Sequence, residues 1–193
     1  MVTKNRENLL LEKESYANKG VSLIEMLAAV AVFAITIGAI SGIFISAVRS
    51  QRRILATQEL LDQTSYALEY MGRALRMAVK DKNGDCIPAG LNYQKTHGGE
   101  GIKFKNYEGN CQEFYLDGTR LKEERAGSGN YLTSPALEIN SFNIGPDSSW
   151  SPPPDLNQPR VTISLKILGR EAIEGRPVIQ IQTSISQRPL DAP

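Results

Sequence analysis

The longest uninterrupted hydrophobic stretch lies near the start of the chain, at residues 21–48, and its one ionisable side chain is that of Glu25. An α-helix needs about 20 apolar residues to cross a bilayer core, so this stretch can span a membrane. A secretory signal peptide has an apolar region of only about 7–15 residues, followed by a small-x-small cleavage site. The sequence after residue 48 shows no clean site of that kind. The pattern therefore predicts a membrane-spanning helix with one carboxylate near its start.

After residue 48 the pattern becomes that of an amphipathic helix. Two rows of residues seven apart form one apolar-to-small stripe: Ile54, Leu61, Leu68 and Leu75, and between them Thr57, Thr64, Met71 and Ala78. No proline precedes Pro88, so one helix is predicted from about Val21 to about Lys80, some 60 residues and roughly 90 Å. The turn-forming residues 81–85 end it. The stripe is narrow, so this half of the helix is expected to pack against a sheet or partner helices.

The remaining residues alternate between apolar and polar, as antiparallel strands with one buried face do. Strands are predicted near residues 102–104, 111–116, 119–124, 137–144, 161–167 and 179–185. Asp117-Gly118 is a hairpin signal, and the alternation slips near Ser141 as a bulge would make it do. The predicted fold class is α+β: a long amino-terminal helix, membrane-spanning in its first half, packed on an antiparallel β-sheet.

Length and composition limit the functions that this chain can have. Its 193 residues allow one domain and an anchor, and 22 Lys and Arg balance 21 Asp and Glu. That balance provides no broad attraction for nucleic acid, although local basic patches would still allow it. One histidine and two cysteines are too few for a Cys/His zinc site or a His-based triad. No catalytic residue, metal or cofactor is predicted.

Glu25 needs an explanation, because a carboxylate at the centre of a membrane helix costs about 2.5–3.5 kcal/mol on insertion scales. Cleavage of the chain after Gly20 would place an α-ammonium on Val21, one helical turn from Glu25. The compensation could be local, with help from the helix dipole. It could also be intermolecular, with Glu25 accepting the new amino terminus of a neighbouring subunit. The second interpretation would make Glu25 an assembly residue.

The segment KGVSLIEML, Lys19 to Leu27, resembles the class III signal of type IV prepilins and type II secretion pseudopilins. A short charged leader, glycine at the cut and glutamate as the fifth residue of an apolar helix occur together, although the family usually begins with Phe where this chain has Val21. The resemblance implies cleavage by a prepilin peptidase, N-methylation of Val21, and assembly with other pilin or pseudopilin subunits on an inner-membrane platform. It also implies that the carboxyl-terminal domain lies outside the cytoplasmic membrane, an orientation that the basic residues flanking the apolar stretch do not determine.

These implications divide the chain into a leader (1–20), a transmembrane half-helix (21–48), an amphipathic half-helix (49–80) and an extracytoplasmic β-rich domain (81–193). The segments FYLDGTRLKEE, PRVTISLKI and IQIQTSISQR resemble minor J-type pseudopilins and W-type minor pilins, which implies a role at the initiation or tip of a filament. The alternative is a single-pass membrane-anchored binding module or enzyme outside any filament.

Weaker signals concern helix packing, a disulfide and two loops. Gly38 and Gly42 predict a face for close helix packing in lipid. Cys86 and Cys111 can form a disulfide if the domain is extracytoplasmic, worth on the order of 3 kcal/mol. Residues 81–85 are interpreted as a turn in preference to a calcium loop. The glycine-rich residues 96–101 are predicted to be a mobile loop.

Two further surface features concern partners. Trp150, in a proline-rich loop at residues 145–159, could be a partner-binding tip or could fold back onto the sheet. Arg49, Arg52 and Arg53 are expected to meet lipid headgroups or acidic partners at the membrane edge.

Overall fold

The computed structural model describes residues 20–150, 158–169 and 176–188. Helix α1 (Leu23–Arg76) is followed by antiparallel strands that form two sheets. The first sheet has the order β1 (Gln94–Thr96), β2 (Gly101–Lys105), β3 (Cys111–Asp117), β4 (Arg120–Arg125), β5 (Ser128–Tyr131). The second has the order β6 (Leu137–Gly145), β7 (Arg160–Gly169), β8 (Val178–Ser186). The α+β class with a long amino-terminal helix is confirmed.

The chain forms two compact units, Met1–Arg49 and Ser50–Pro193. In the first unit, the described residues are almost entirely the apolar part of α1, and none of its most apolar window is buried. This is one helix that is long and apolar enough to cross a membrane.

In the second unit, one face of α1 is buried from Leu60 onward. The predicted stripe is correct for Thr64, Met71 and Leu75, but it is wrong at its start, because Ile54 is 54% and Leu61 is 41% exposed. Residues seven apart would stay in line only on a helix with 3.5 residues per turn. A straight helix has 3.6 residues per turn, so such a row drifts around its surface. The buried positions are therefore one residue away in this region: Leu60 and Ala67.

The helix ends at Arg76, four residues before the predicted end. Groups from elsewhere in the fold donate hydrogen bonds to backbone carbonyls of its last turn and the residues just beyond: the Tyr93 hydroxyl to Leu75 (2.8 Å), the Arg188 N–H to Arg76 (2.8 Å) and the Gln187 side-chain amide to Ala78 (2.7 Å). Val79 then pairs with Lys105 as an isolated β-bridge. Tertiary donors thus replace the helical bonds that would have continued the helix.

The six predicted strands are all present, with two more that the alternation does not show. β1 has three residues and β5 has four exposed ones, so neither carries a buried apolar row. The hairpin at Asp117-Gly118 and the irregularity between Ile139 and Ser141 are confirmed. The prediction of one sheet is wrong. Between the β3–β4 hairpin and β6, the described backbone hydrogen bond runs from the Ile139 N–H to the Thr119 carbonyl (2.8 Å), so the two sheets pack together without a continuous ladder.

The core lies between α1 and the two sheets. Trp150 belongs to it: the indole is 3% exposed, donates to the Arg160 carbonyl (2.8 Å) and packs edge-on against Tyr93 (5.6 Å between ring centres). The interpretation that Trp150 folds back onto the sheet is therefore confirmed, and the binding-tip alternative is wrong. Residues 151–157 of the proline-rich loop lie outside the described residues.

The glycine-rich loop and the predicted disulfide are both described by the structure. Residues 96–101, predicted to be a mobile loop, form a tight connection between β1 and β2 with a short 3₁₀ turn (His97–Gly99). The His97 imidazole stacks on Tyr115 with 4.2 Å between ring centres. The disulfide Cys86–Cys111 is present, with Cα atoms 5.2 Å apart, and it ties the segment after α1 to β3.

Candidate functional site: the amino-terminal processing and assembly segment

The start of α1 is organised by Ser22. The Ser22 carbonyl accepts the N–H of Glu25 (3.0 Å) and of Met26 (3.1 Å), and its hydroxyl lies 3.4 Å from the Glu25 nitrogen. A serine followed three residues later by glutamate is the capping-box pattern, in which the serine satisfies an otherwise unpaired helix N–H. The sequence Ser-x-x-Glu was the signal that could have located this helix start. The capping also explains why α1 begins at Leu23, two residues after the predicted start.

This local geometry places Gly20, Val21 and Glu25 together at the helix start. Gly20 and Val21 precede the helix, and Val21 is 64% exposed. The Glu25 carboxylate lies in the first turn, where the helix dipole favours negative charge. Among the residues that the structure describes, no cation forms an ion pair with Glu25. The site therefore presents an accessible junction, one carboxylate and an apolar helix surface.

Gly38 and Gly42 lie further along the apolar part of α1, and the structure does not bring them to Glu25. A Cβ built on either glycine would meet no atom within 4 Å, so the surface that they form is open. The polar hydroxyls near them are satisfied within the helix: Thr36 donates to the Phe33 carbonyl and Ser41 to the Ile37 carbonyl, both at 2.8 Å. Satisfied hydroxyls and small side chains suit a helix surface that contacts lipid or another helix.

The second unit contains a carboxylate with a structural role. Asp81 is fully buried and accepts the N–H groups of Cys86 (2.7 Å), Ile87 (3.1 Å) and Gly84 (3.1 Å). Burial opposes its ionisation, but these backbone donors outweigh the burial, so the pKa of Asp81 lies well below its usual range. The Lys105 ammonium lies 3.5 Å from it. This carboxylate holds the backbone of residues 81–87, and the interpretation of residues 81–85 as a turn is consistent with these bonds.

A second buried carboxylate joins α1 to the first sheet. Glu123 accepts the Tyr70 hydroxyl at 2.9 and 3.0 Å and the Gln112 amide at 2.6 Å. Burial raises the pKa of the Tyr70 hydroxyl, and so does its hydrogen bond to the Glu123 carboxylate. The sequence pattern did not indicate these residues, because nothing along a strand distinguishes a buried glutamate from an exposed polar residue.

The comparisons with known proteins concern the amino-terminal segment. The family model described as the prokaryotic N-terminal methylation motif matches residues 16–48. No curated protein and no solved structure gives a match to this chain. The matched residues include the predicted cut at Gly20, Glu25, Gly38 and Gly42. The motif implies processing by a prepilin peptidase, membrane anchoring and assembly with other pilins. This match supports the resemblance of residues 16–48 to the amino-terminal segment of type IV prepilins and pseudopilins.

Proposed function

We propose that this chain is a minor pilin or pseudopilin, a structural subunit without catalysis of its own. A prepilin peptidase removes residues 1–20, and α1 anchors the mature chain in the cytoplasmic membrane with residues 81–193 outside. Contacts with the inner-membrane assembly platform and with lipid precede assembly into a type IV pilus or a type II secretion pseudopilus. The proposal depends on one observation. The Glu25 carboxylate lies in the first turn of a helix that can cross a membrane, and the described residues include no ionic partner for it.

The magnitudes favour an intermolecular role for Glu25. The helix dipole is worth about 0.3–1 kcal/mol for a charge in the first turn. Burial of a carboxylate in a membrane helix costs up to about 2.5–3.5 kcal/mol, although Glu25 is shallower than the centre. The dipole and the Ser22 cap thus offset a part of the cost. The amino terminus of a neighbouring subunit is a cation that could offset the rest, which would penalise the isolated subunit and favour assembly.

The position in the filament rests on the resemblance of the carboxyl-terminal segments to minor J-type and W-type subunits. Those segments form β3–β4, β7 and β8 in this chain. The resemblance supports placement at the initiation site or the tip.

The first test is processing. When the chain is co-expressed with a prepilin peptidase, we expect the product to begin at Val21, and mass spectrometry of the amino-terminal peptide measures this directly. Gly20→Val should block the cut, whereas Gly38→Val, a matched change within the apolar helix, should leave it intact. A product that retains Met1 in the presence of active peptidase would overturn the proposal.

The second test is assembly. Glu25→Val should leave cleavage and the second unit intact, because Glu25 lies in the other unit. Incorporation into filaments should fall at least about tenfold, since a loss of 1.4 kcal/mol is a factor of ten. Immunoblots of sheared filaments measure the incorporated fraction. Undiminished incorporation would favour local compensation, and the absence of any filament association would favour the anchored binding module or enzyme.

A further inference from the structure

The turn after α1 contains the one Asn-Gly pair of this sequence, Asn83-Gly84. An asparagine followed by glycine can lose its side-chain amide without an enzyme, because the backbone nitrogen of the glycine attacks the asparagine Cγ. Glycine has no side chain to obstruct this approach, and its backbone adopts the conformations that the approach needs. Asparagine counts among the thermolabile residues of proteins. The pair is therefore a candidate site of chemical modification.

The surroundings of the pair leave it accessible to this reaction. Asn83 and Gly84 are both exposed, and both lie outside the helix and the strands. The Asn83 side-chain amide has no hydrogen-bond partner among the described residues. Gly84 has a φ of +80°, in the left-handed region that favours glycine. Water thus reaches the amide, and no described contact holds it away from the Gly84 nitrogen.

One contact opposes the reaction. The Gly84 N–H donates a hydrogen bond to the Asp81 carboxylate at 3.1 Å, and the attack requires the Gly84 nitrogen to give up this proton. The Asp81 carboxylate is fully buried and its pKa lies well below its usual range, so it is ionised at neutral pH. An N–H bound to a negative charge resists deprotonation, because the anion that forms would face a like charge. The hydrogen bond to Asp81 therefore slows the attack.

The sequence contains one other pair capable of the same ring closure, Asp117-Gly118. Gly118 also has a positive φ, of 64°. The Asp117 carboxylate accepts the Tyr131 hydroxyl (2.9 Å) and lies 3.6 Å from the Lys122 ammonium, so its side chain is held in place. A carboxylate is also a weaker electrophile than an amide. The asparagine pair is thus the more reactive of the two.

We propose that Asn83 is a site of spontaneous deamidation whose rate is controlled by Asp81. The Gly84 nitrogen loses its proton to hydroxide and forms a bond to the Asn83 Cγ. The bond between Cγ and the side-chain nitrogen then breaks, and this nitrogen takes a proton from water and leaves as ammonia. The cyclic imide that remains adds one water molecule and opens at either of its two carbonyl groups. One opening gives aspartate, and the other gives isoaspartate, in which the main chain runs through Cγ.

Either product alters the turn. Aspartate places a new negative charge between Asp81 and Asp85 in the sequence. Isoaspartate adds one carbon to the main chain next to the N–H groups that Asp81 binds. Because like charges repel and displaced N–H groups lose their acceptor, deamidated chains should be less stable than unmodified ones. The site therefore marks chains that have existed for long, and this inference does not depend on the proposed function.

The experiment uses the full chain in detergent, with the Cys86–Cys111 bond intact, at mildly alkaline pH in water labelled with heavy oxygen. Mass spectrometry of peptides measures the labelled product at Asn83 and at Asn143, an exposed asparagine followed by isoleucine in β6. We expect the product to form at Asn83 at least about tenfold faster, as a mixture of aspartate and isoaspartate. Equal rates at the two positions, or aspartate alone, would overturn the proposal.

Three variants test the control by Asp81. Asp81→Asn removes the negative charge beside the Gly84 N–H and should raise the rate at Asn83 at least about tenfold. Ile163→Ala leaves a cavity in β7 but keeps the Asp81 hydrogen bonds, so the rate should rise less. Asn83→Gln should abolish the product at this position, because the longer side chain would have to close a larger ring. An equal increase in Asp81→Asn and Ile163→Ala would mean that unfolding sets the rate, and would contradict control by Asp81.

Discussion

Two polar side chains bind backbone N–H groups at the start of α1 and in the turn that follows its end. Ser22 satisfies the Glu25 N–H at the start, and Asp81 accepts three backbone N–H groups in the turn that follows the helix. The Ser22 hydroxyl adds a second acceptor beside the Ser22 carbonyl, whereas the Asp81 carboxylate replaces missing backbone acceptors, roles that serine and aspartate perform often. The Ser-x-x-Glu spacing was visible in the sequence. The burial of Asp81 was not, because it depends on Ile87 and the β2 strand folding around it.

Asp81→Asn should destabilise the second unit at neutral pH by about 1–3 kcal/mol, since buried donors lose an ionised acceptor. The folded-state pKa is depressed, so this stability is fully present above the unfolded-state pKa of about 4 and is lost as the pH falls through the folded-state pKa. The difference in unfolding free energy between wild type and variant should therefore shrink below about pH 4. Denaturant titrations in detergent at several pH values measure it.

Asp85→Asn is the matched control, because Asp85 is 56% exposed and pairs with Lys105 at the surface. Its loss should cost no more than about 1 kcal/mol. A loss equal to that of Asp81→Asn would mean that the backbone bonds to Asp81 do not stabilise the turn.

At the scale of elements, α1 has two surfaces with different requirements. The part after Ser50 buries one face against strands, whereas the small residues before it face open space. Periodicity identified both parts, because a helix repeats its faces every 3.6 residues regardless of what covers them. It misplaced only the start of the buried face by one residue, at Leu60 and Ala67, since a row of residues seven apart drifts around a straight helix.

Gly42→Leu tests whether the small-residue face packs against another helix. Nothing lies within 4 Å of this position, so the stability of the second unit should not change. Filament incorporation should fall, because a leucine keeps two helix backbones apart. Ala47→Leu adds a comparable side chain on nearly the opposite side of the helix and serves as the control. Equal effects of the two substitutions on sheared filament yield would argue against a specific packing face.

At the scale of the whole second unit, Gln187 connects distant parts of the chain. It is fully buried, donates to the Ala78 carbonyl (2.7 Å) and accepts from the Asn92 amide (2.6 Å). Its own N–H donates to the Pro159 carbonyl (2.9 Å). The end of β8 is thereby fastened to the residues after α1 and to the loop before β1. Such a satisfied buried network specifies one arrangement of its elements.

Gln187→Leu should lower the free energy of unfolding by about 1–3 kcal/mol for each buried group that loses its partner. Trp150 fluorescence reports the change, because the Trp150 carbonyl accepts the Asn92 N–H (3.2 Å) next to this network. Gln182→Leu, on the exposed face of β8, should change stability by no more than about 0.5 kcal/mol. An unaltered unfolding transition in Gln187→Leu would contradict a stabilising role for the hydrogen bonds of Gln187.

The sequence by itself determined the anchor, the Gly20–Glu25 motif, the fold class and six of the eight strands. These features depend on local periodicity and spacing, which a chain carries before it folds. Only the tertiary structure decided the division into two sheets, the early end of α1 and the burial of Trp150. Each of these depends on which distant groups meet, such as Tyr93 and Leu75, and contacts of that kind have no signature along the chain.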